Sequence, residues 1–147
     1  MRIENLVDHP HAAELLASWF KSEWPAYYAL RTAADVEDDF REAALPILLA
    51  LEGAEAVGTV ALRAQALDGF PELAPGLGGL YVAAAHRHRG VGSALVREGM
   101  RVASEMGHRE LYAATAHAGA LFARLGWQPA RTLWHEAQEV SIYRWRC

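Results

Sequence analysis

The strand-like run LGGLYV, Leu77 to Val82, gives way to a helical run through a short loop rich in histidine and arginine, and the helix opens on RHRGVGSAL, Arg87 to Leu95. A second strand-like run, RELYAAT, follows at Arg109, and a short helical run, AGALFARLG, follows that. Strand, helix, strand, helix in this order places the elements on one sheet with helices packed against it. The start of the first of these helices is unusual: two glycines two residues apart, arginines in front and a serine behind.

The rest of the chain builds on this unit. RIENL is a short strand, and helical spacing runs from Pro10 through Ala13, Leu16, Ala17 and Phe20 until Pro25 interrupts it. TAADVEDDFREAA is a second helix, with Thr32 as N-cap and Asp35 where a capping box places an acid. After Pro46, ILLALE and VGTVALRAQ are strands joined by the turn GAEA, as in a hairpin. Leu67 to Gly76 is loop. On the glycine-led helix, Val91, Leu95, Val102 and Met106 share a face, and Gly107 stops it. Gly126 caps the last helix, and RTLWHEAQEVSIYRWR has the pattern of a hairpin. The fold class expected is α/β (α+β): one domain, residues 1–147, with a single mixed, mostly antiparallel central sheet flanked by helices.

Composition narrows the function. Hydrophobic residues make up 52% of the chain and charged residues 22%, enough apolar material for a packed core. The net charge is −4, which disfavours a nucleic-acid partner. The single cysteine, Cys147, rules out a disulfide within the chain and fits a reducing compartment. The apolar run Ala43 to Leu51 is broken by Pro46 and is too short to span a bilayer, and the N-terminus lacks a signal-peptide core. A cytoplasmic protein without a membrane partner is expected. The histidine pairs His9/His11 and His86/His88 have no third ligand at zinc spacing, so no metal site is expected.

A helix N-terminus carries unpaired N–H groups and a partial positive charge, which suits an anion. Gly90 and Gly92 let a phosphate approach the backbone, Arg87 and Arg89 can add charge-assisted hydrogen bonds, and Ser93 can add a hydroxyl. The bland alternative is a glycine-lightened helix start with solvated arginines. A Walker loop is absent, and a dinucleotide fingerprint fails because Leu95 stands at its third small position.

The pattern present is R-x-x-G-x-G, as Arg87, Gly90 and Gly92. With LYVAAAHRHRGVGSALV and the later LFARLGWQP, the chain resembles the GCN5-related N-acetyltransferase superfamily. The resemblance implies an acyl-CoA N-acyltransferase fold, acetyl-CoA as co-substrate, and direct transfer to a small-molecule or peptide amine. It implies that the backbones of His88, Arg89, Gly90, Val91, Gly92 and Ser93 cradle the pyrophosphate, with Arg87 opening the motif. It implies that Leu80 and Val82 pair with the pantetheine arm, and that the Val82 N–H stabilises the oxyanion. Gly78 and Gly79 then mark either a strand bulge near the reaction centre or a plain loop.

One position departs from the family. Phe122 stands where the family usually has a tyrosine as general acid, and phenylalanine donates no proton. Phe122 remains a candidate for packing on the pantetheine. His117 is the substitute acid or base, against the alternative of a solvent-facing or capping histidine. Tyr112 and Tyr143 are further hydroxyls, and Glu72 is a base through water. A non-catalytic acyl-CoA sensor and a binder of another phosphate ligand are the rival functions. Trp19, Trp24, Tyr27 and Tyr28 are candidates for an aromatic wall on the acceptor side, and Asp35, Glu37, Asp38, Asp39 and Glu42 form an acidic cluster on the second helix. The C-terminal SIYRWRC has the potential of an exposed edge, which leaves a homodimer open.

Overall fold

The computed structural model describes all residues, 1–147. Its strands are β1 (Arg2–Asn5), β2 (Ile47–Glu52), β3 (Glu55–Arg63), β4 (Gly76–Val82), β5 (Glu110–Thr115), β6 (Gln128–His135) and β7 (Gln138–Arg146). Its helices are α1 (Ala13–Glu23), α2 (Ala33–Arg41), α3 (Val91–Glu105) and α4 (Gly119–Arg124). The strands form one sheet in the order β1-β2-β3-β4-β5-β7-β6. Every neighbouring pair is antiparallel except β4 and β5, which are parallel.

The pattern of β2 explains the layers. Leu48 and Ala50 enter the core beneath α3, with Val57, Leu77, Leu95 and Leu111. Ile47, Leu49 and Leu51 enter the opposite core with Leu16 of α1. A strand buried on both faces shows an unbroken apolar run, as ILLAL does here. Helices α3 and α4 thus cover one face, and α1 and α2 cover part of the other. The rest of that second face is closed by the loop before β4, where Ala66 and Leu73 meet Val140 and Ile142 of β7.

Helix α3 buries Val91, Leu95, Val96, Gly99 and Ala103. Met106, expected on this face, lies just past the last helical residue and is exposed. The edge strand at the C-terminal side is β6, not β7, which carries SIYRWR and lies between β5 and β6. The exposed-edge expectation therefore moves from SIYRWRC to β6, which carries Pro129 and the exposed Trp134. A two-residue turn joins β6 to β7, with Glu136 and Ala137 both at positive φ, as the twist of tight hairpins requires.

Helix α2 starts with the expected capping box. Thr32 Oγ1 accepts from the Asp35 N–H at 3.1 Å, and the Asp35 carboxylate accepts from the Thr32 N–H at 3.2 Å. These hydrogen bonds from Thr32 hold the Asp35 carboxyl below its ordinary value. Its contribution to stability is present above the unfolded-state value and fades as pH falls through the lowered folded one. Thr32→Ala should lower stability by about 1 kcal/mol, a drop of about 2–4 °C in Tm for a domain of this size. In Asp35→Asn the acid limb of the stability–pH profile should be shallower than in the parent, measured by thermal unfolding between pH 3 and 7.

Candidate active site

Strands β4 and β5 are parallel neighbours but share a single register position, Gly76 opposite Tyr112. The Tyr112 N–H donates to the Pro75 carbonyl at 3.0 Å. Beyond that point the strands part, and their C-terminal ends leave a gap in the sheet.

The β4 edge of the gap is shaped by a bulge. In the β3–β4 ladder Thr59 faces Tyr81 and Ala61 faces Gly78, so β4 spends three steps where β3 spends two. The extra residue falls at Gly79 and Leu80, and Gly79 takes φ +62°, a left-handed conformation natural to glycine. A Cβ there would lie 3.0 Å from the Phe20 ring of α1. Of the two possibilities for Gly78–Gly79, the bulge is the one present.

Past the bulge the ladder resumes with Gly58 opposite Val82. The next residue, Ala83, donates its N–H to the Val57 carbonyl at 2.8 Å. Antiparallel bonds alternate along a strand, so the Val82 N–H points away from β3 and into the gap. The Val82 carbonyl points the same way and accepts from Arg87 Nε at 2.8 Å. Leu80, two residues back, presents its backbone on the same side.

Helix α3 begins at the end of this strand. Gly90, its N-cap, sits at φ +82°, and no side chain caps the helix. The first bond of the helix runs from the Ala94 N–H to the Gly90 carbonyl at 3.0 Å. The N–H groups of Val91, Gly92 and Ser93 therefore have no partner within the helix. His88, also at positive φ, and Arg89 are exposed in the loop before it. A Cβ on Gly92 would come within 3.2 Å of Leu121 Cδ1 and 3.8 Å of Val82 Cγ2. The helix start, the strand end and α4 converge there.

Two expected residues have different surroundings from those foreseen. Arg87 braces the loop: its Nε is bonded to the Val82 carbonyl, and its guanidinium lies 5.5 Å above the Tyr81 ring. Phe122 is only 4% exposed, edge-on to Trp127 at 5.0 Å and stacked on Tyr143 at 6.0 Å. An aromatic ring so enclosed serves the core. Glu72 forms an ion pair with Arg131 at 2.9 Å. Its carboxyl is held below the ordinary value by a backbone hydrogen bond and by Arg131, which makes it a poor base.

His117 is exposed in the turn between β5 and α4, and only its backbone is tied, with its N–H donating to Thr115 Oγ1 at 3.2 Å. His117 lies two residues beyond the end of β5, the strand that neighbours β4. The Tyr143 ring, on β7, reaches Gly119 at the start of α4.

On the other face of the sheet a cavity of about 490 Å³ lies between α1, α2 and the strands, and Gly79 is part of its wall. Phe20, Tyr27, Tyr28, Val36 and Phe40 line it, with Arg31, Asp39 and Arg63 as its charged residues. Tyr27 and Tyr28 thus join the wall as expected. Trp19 and Trp24 do not; Trp19 stacks on Tyr81 at 4.9 Å, and Trp24 packs edge-on against Phe20. The Tyr27 hydroxyl donates to Asp68. Burial and that bond push its pKa up to about 12, so it stays neutral. Of the acidic cluster, only Asp39 reaches the cavity, and it is paired with Arg31.

The profile of the acetyltransferase (GNAT) family matches residues 13–127. The chain belongs to that family. Its reaction class is acetyl transfer from acetyl-CoA, as the family resemblance implied. Among solved structures, an aminoglycoside 6'-N-acetyltransferase complexed with coenzyme A aligns with a TM-score of 0.82 and 16% identity, covering 99% of this chain and 97% of that one. The ribosomal-protein-alanine N-acetyltransferase from Brucella melitensis aligns at 0.75 and 18% identity over 100% of both chains. The yncA protein from Salmonella typhimurium, solved with its cofactor acetyl-CoA, aligns at 0.72 and 17% identity over 98% and 93%. No curated protein matches the chain. No helix of this acetyltransferase is long and apolar enough to cross a membrane.

The bulge has a measurable signature. Gly79→Ala places a Cβ on a left-handed residue and against Phe20, and should destabilise the fold by about 1–3 kcal/mol. Urea unfolding measures this, and a change below 0.5 kcal/mol, on the order of an ordinary surface substitution, would contradict the strained geometry.

Proposed function

We propose that the chain is an N-acetyltransferase in which the start of α3 holds the pyrophosphate of acetyl-CoA and the Leu80–Val82 edge holds the pantetheine arm. The observation that carries this is the combination of an uncapped helix N-terminus with an open strand edge leading to it. Val91, Gly92 and Ser93 supply N–H donors, and His88, Arg89 and Gly90 form the approach, with positive charge from Arg89. Arg87 positions this loop through Val82 and Tyr81.

A neutral amine attacks the thioester carbonyl carbon, forming a C–N bond and a tetrahedral oxyanion. The Val82 N–H donates to that oxygen. The C–S bond then breaks, coenzyme A leaves as thiolate, and the amine's extra proton is lost. Phe122 cannot return a proton, but a thiol of pKa ~8.5 is a tolerable leaving group near neutrality. His117, in the turn that follows β5, is the group proposed to take the amine proton or return one to sulfur. The amine enters from the α1–α2 side, where the cavity reaches Gly79.

Ligand-dependent thermal unfolding tests the cofactor assignment. Acetyl-CoA and coenzyme A at a hundred times their Kd should each stabilise by about 2.7 kcal/mol, several degrees in Tm, while ATP and NAD should not. In Gly92→Glu the shift should vanish, because the new carboxylate stands where the phosphates bind. A shift retained in that variant would remove the phosphate-loop assignment.

Val82→Pro deletes one N–H that the β3–β4 ladder does not use. It should lower kcat by about 10²–10³-fold and leave the circular dichroism spectrum unchanged. His117→Gln should lower kcat by about 10²-fold or more with acetyl-CoA binding intact. Unchanged turnover in His117→Gln would hand the proton to solvent.

A further inference from the structure

The charges facing the acceptor cavity do not balance. Arg31 and Asp39 neutralise each other in an ion pair. That leaves Arg63, the last residue of β3, which makes neither a hydrogen bond nor an ion pair and is only partly exposed. Asp68 is nearby, but it lies outside the cavity wall, is exposed, and accepts the Tyr27 hydroxyl. The Arg63 side chain lies across Gly78, whose Cβ, if present, would be 3.1 Å from Arg63 Cδ and 3.6 Å from Nη1. The missing side chain on β4 is thus what lets the guanidinium lie along the cavity floor.

Arg63 is partly buried and its guanidinium has no partner; the planar fork of such a group matches a carboxylate with two parallel hydrogen bonds. Around it the wall is apolar and aromatic, with Tyr28 and Phe40 close by. About 490 Å³ is the size of a small-molecule site. A polycation would meet net positive charge here rather than a carboxylate wall.

Resting on the acetyltransferase reading above, we propose that the acceptor is a small primary amine that carries a carboxylate on an apolar body, and that Arg63 binds the carboxylate. The geometry also sets the spacing. From Gly78 to Val82 is four residues of strand, on the order of 10 Å, so the amine and carboxylate of the acceptor stand several ångströms apart, with the apolar body between them. Arg63 is a specificity residue in this scheme and takes no part in bond making.

The test uses matched pairs of amines on the full chain, with thiol release from acetyl-CoA as readout. The pairs are 4-(aminomethyl)benzoate with benzylamine, 6-aminohexanoate with hexylamine, and phenylalanine with phenethylamine, with kanamycin as a polycation. The carboxylate member of at least one of the first two pairs should have a kcat/KM at least about tenfold higher than its partner, mainly through KM. Arg63→Met should erase that preference while the acetyl-CoA thermal shift persists, and Arg63→Lys should restore part of it. Preference for the amine that lacks the carboxylate or for kanamycin would overturn the proposal, as would a carboxylate preference that survives Arg63→Met. If acetyl-CoA binds and none of these amines is acetylated, the acceptor proposal fails alone. If acetyl-CoA itself does not bind, the failure lies in the acetyltransferase reading beneath it.

Discussion

Everything functional in this structure depends on two parallel strands that are neighbours at one point only. A parallel pair buried at the centre of a sheet ordinarily closes its hydrogen bonds along its length, because an unpaired buried backbone group is costly. Here β4 and β5 meet at Gly76 and Tyr112 and then diverge. On that side the Val82 carbonyl is taken by Arg87, and the Val82 N–H has no partner strand. An extended ligand with its own amide groups is the natural completion of such an edge, in the same sense that a peptide adds a strand to a sheet.

The gap is held open from both faces. On one face, Gly92 lets the start of α3 approach Val82 and Leu121 closely. On the other, Trp19 of α1 stacks on Tyr81, and the Arg87 guanidinium lies over the same ring. One tyrosine thus joins the acceptor-side helix, the bulged strand and the anion-binding loop. Arg87 closes the circuit through its bond to the Val82 carbonyl. The arginine that opens the R-x-x-G-x-G pattern acts here as a brace for the strand end, and the positive field for a phosphate falls to Arg89 and the helix start.

Much of this was legible in the order of residues. Glycines and cations between a strand and a helix marked the loop, because few other compositions free a helix N-terminus for an anion. Thr32 and Asp35 declared the start of α2 by spacing alone. Gly78–Gly79 declared a break in β4 without saying which kind, since a bulge is a matter of register with β3 and register needs the partner strand. The depth of Phe122 was not legible from its motif position, because Trp127 and the more distant Tyr143 enclose it. Glu72 lost its role as a base to Arg131, a partner 59 residues away. Arg63 gave no signal at all. An arginine at the end of a strand is common, and what sets this one apart is that nothing pairs with it.

That contrast reflects how the two substrates are recognised. In the proposed scheme the cofactor meets backbone N–H groups, which every residue but proline possesses, so the sequence need supply only glycines, a helix and a loop of the right length. The fold itself survives wide divergence: this chain shares 16–18% identity with structures it matches at TM-scores of 0.72 to 0.82. The cavity proposed for the acceptor is lined by side chains from α1, α2 and β3, and in such a wall a single charge changes which amine is welcome. A shared fold therefore carries the donor from one relative to another but not the acceptor. The likeness to aminoglycoside acetyltransferases says nothing about whether a polycation fits here. The proposal for a carboxylate rests instead on the wall of this cavity, where the one acid is already paired and the charge left over is a guanidinium.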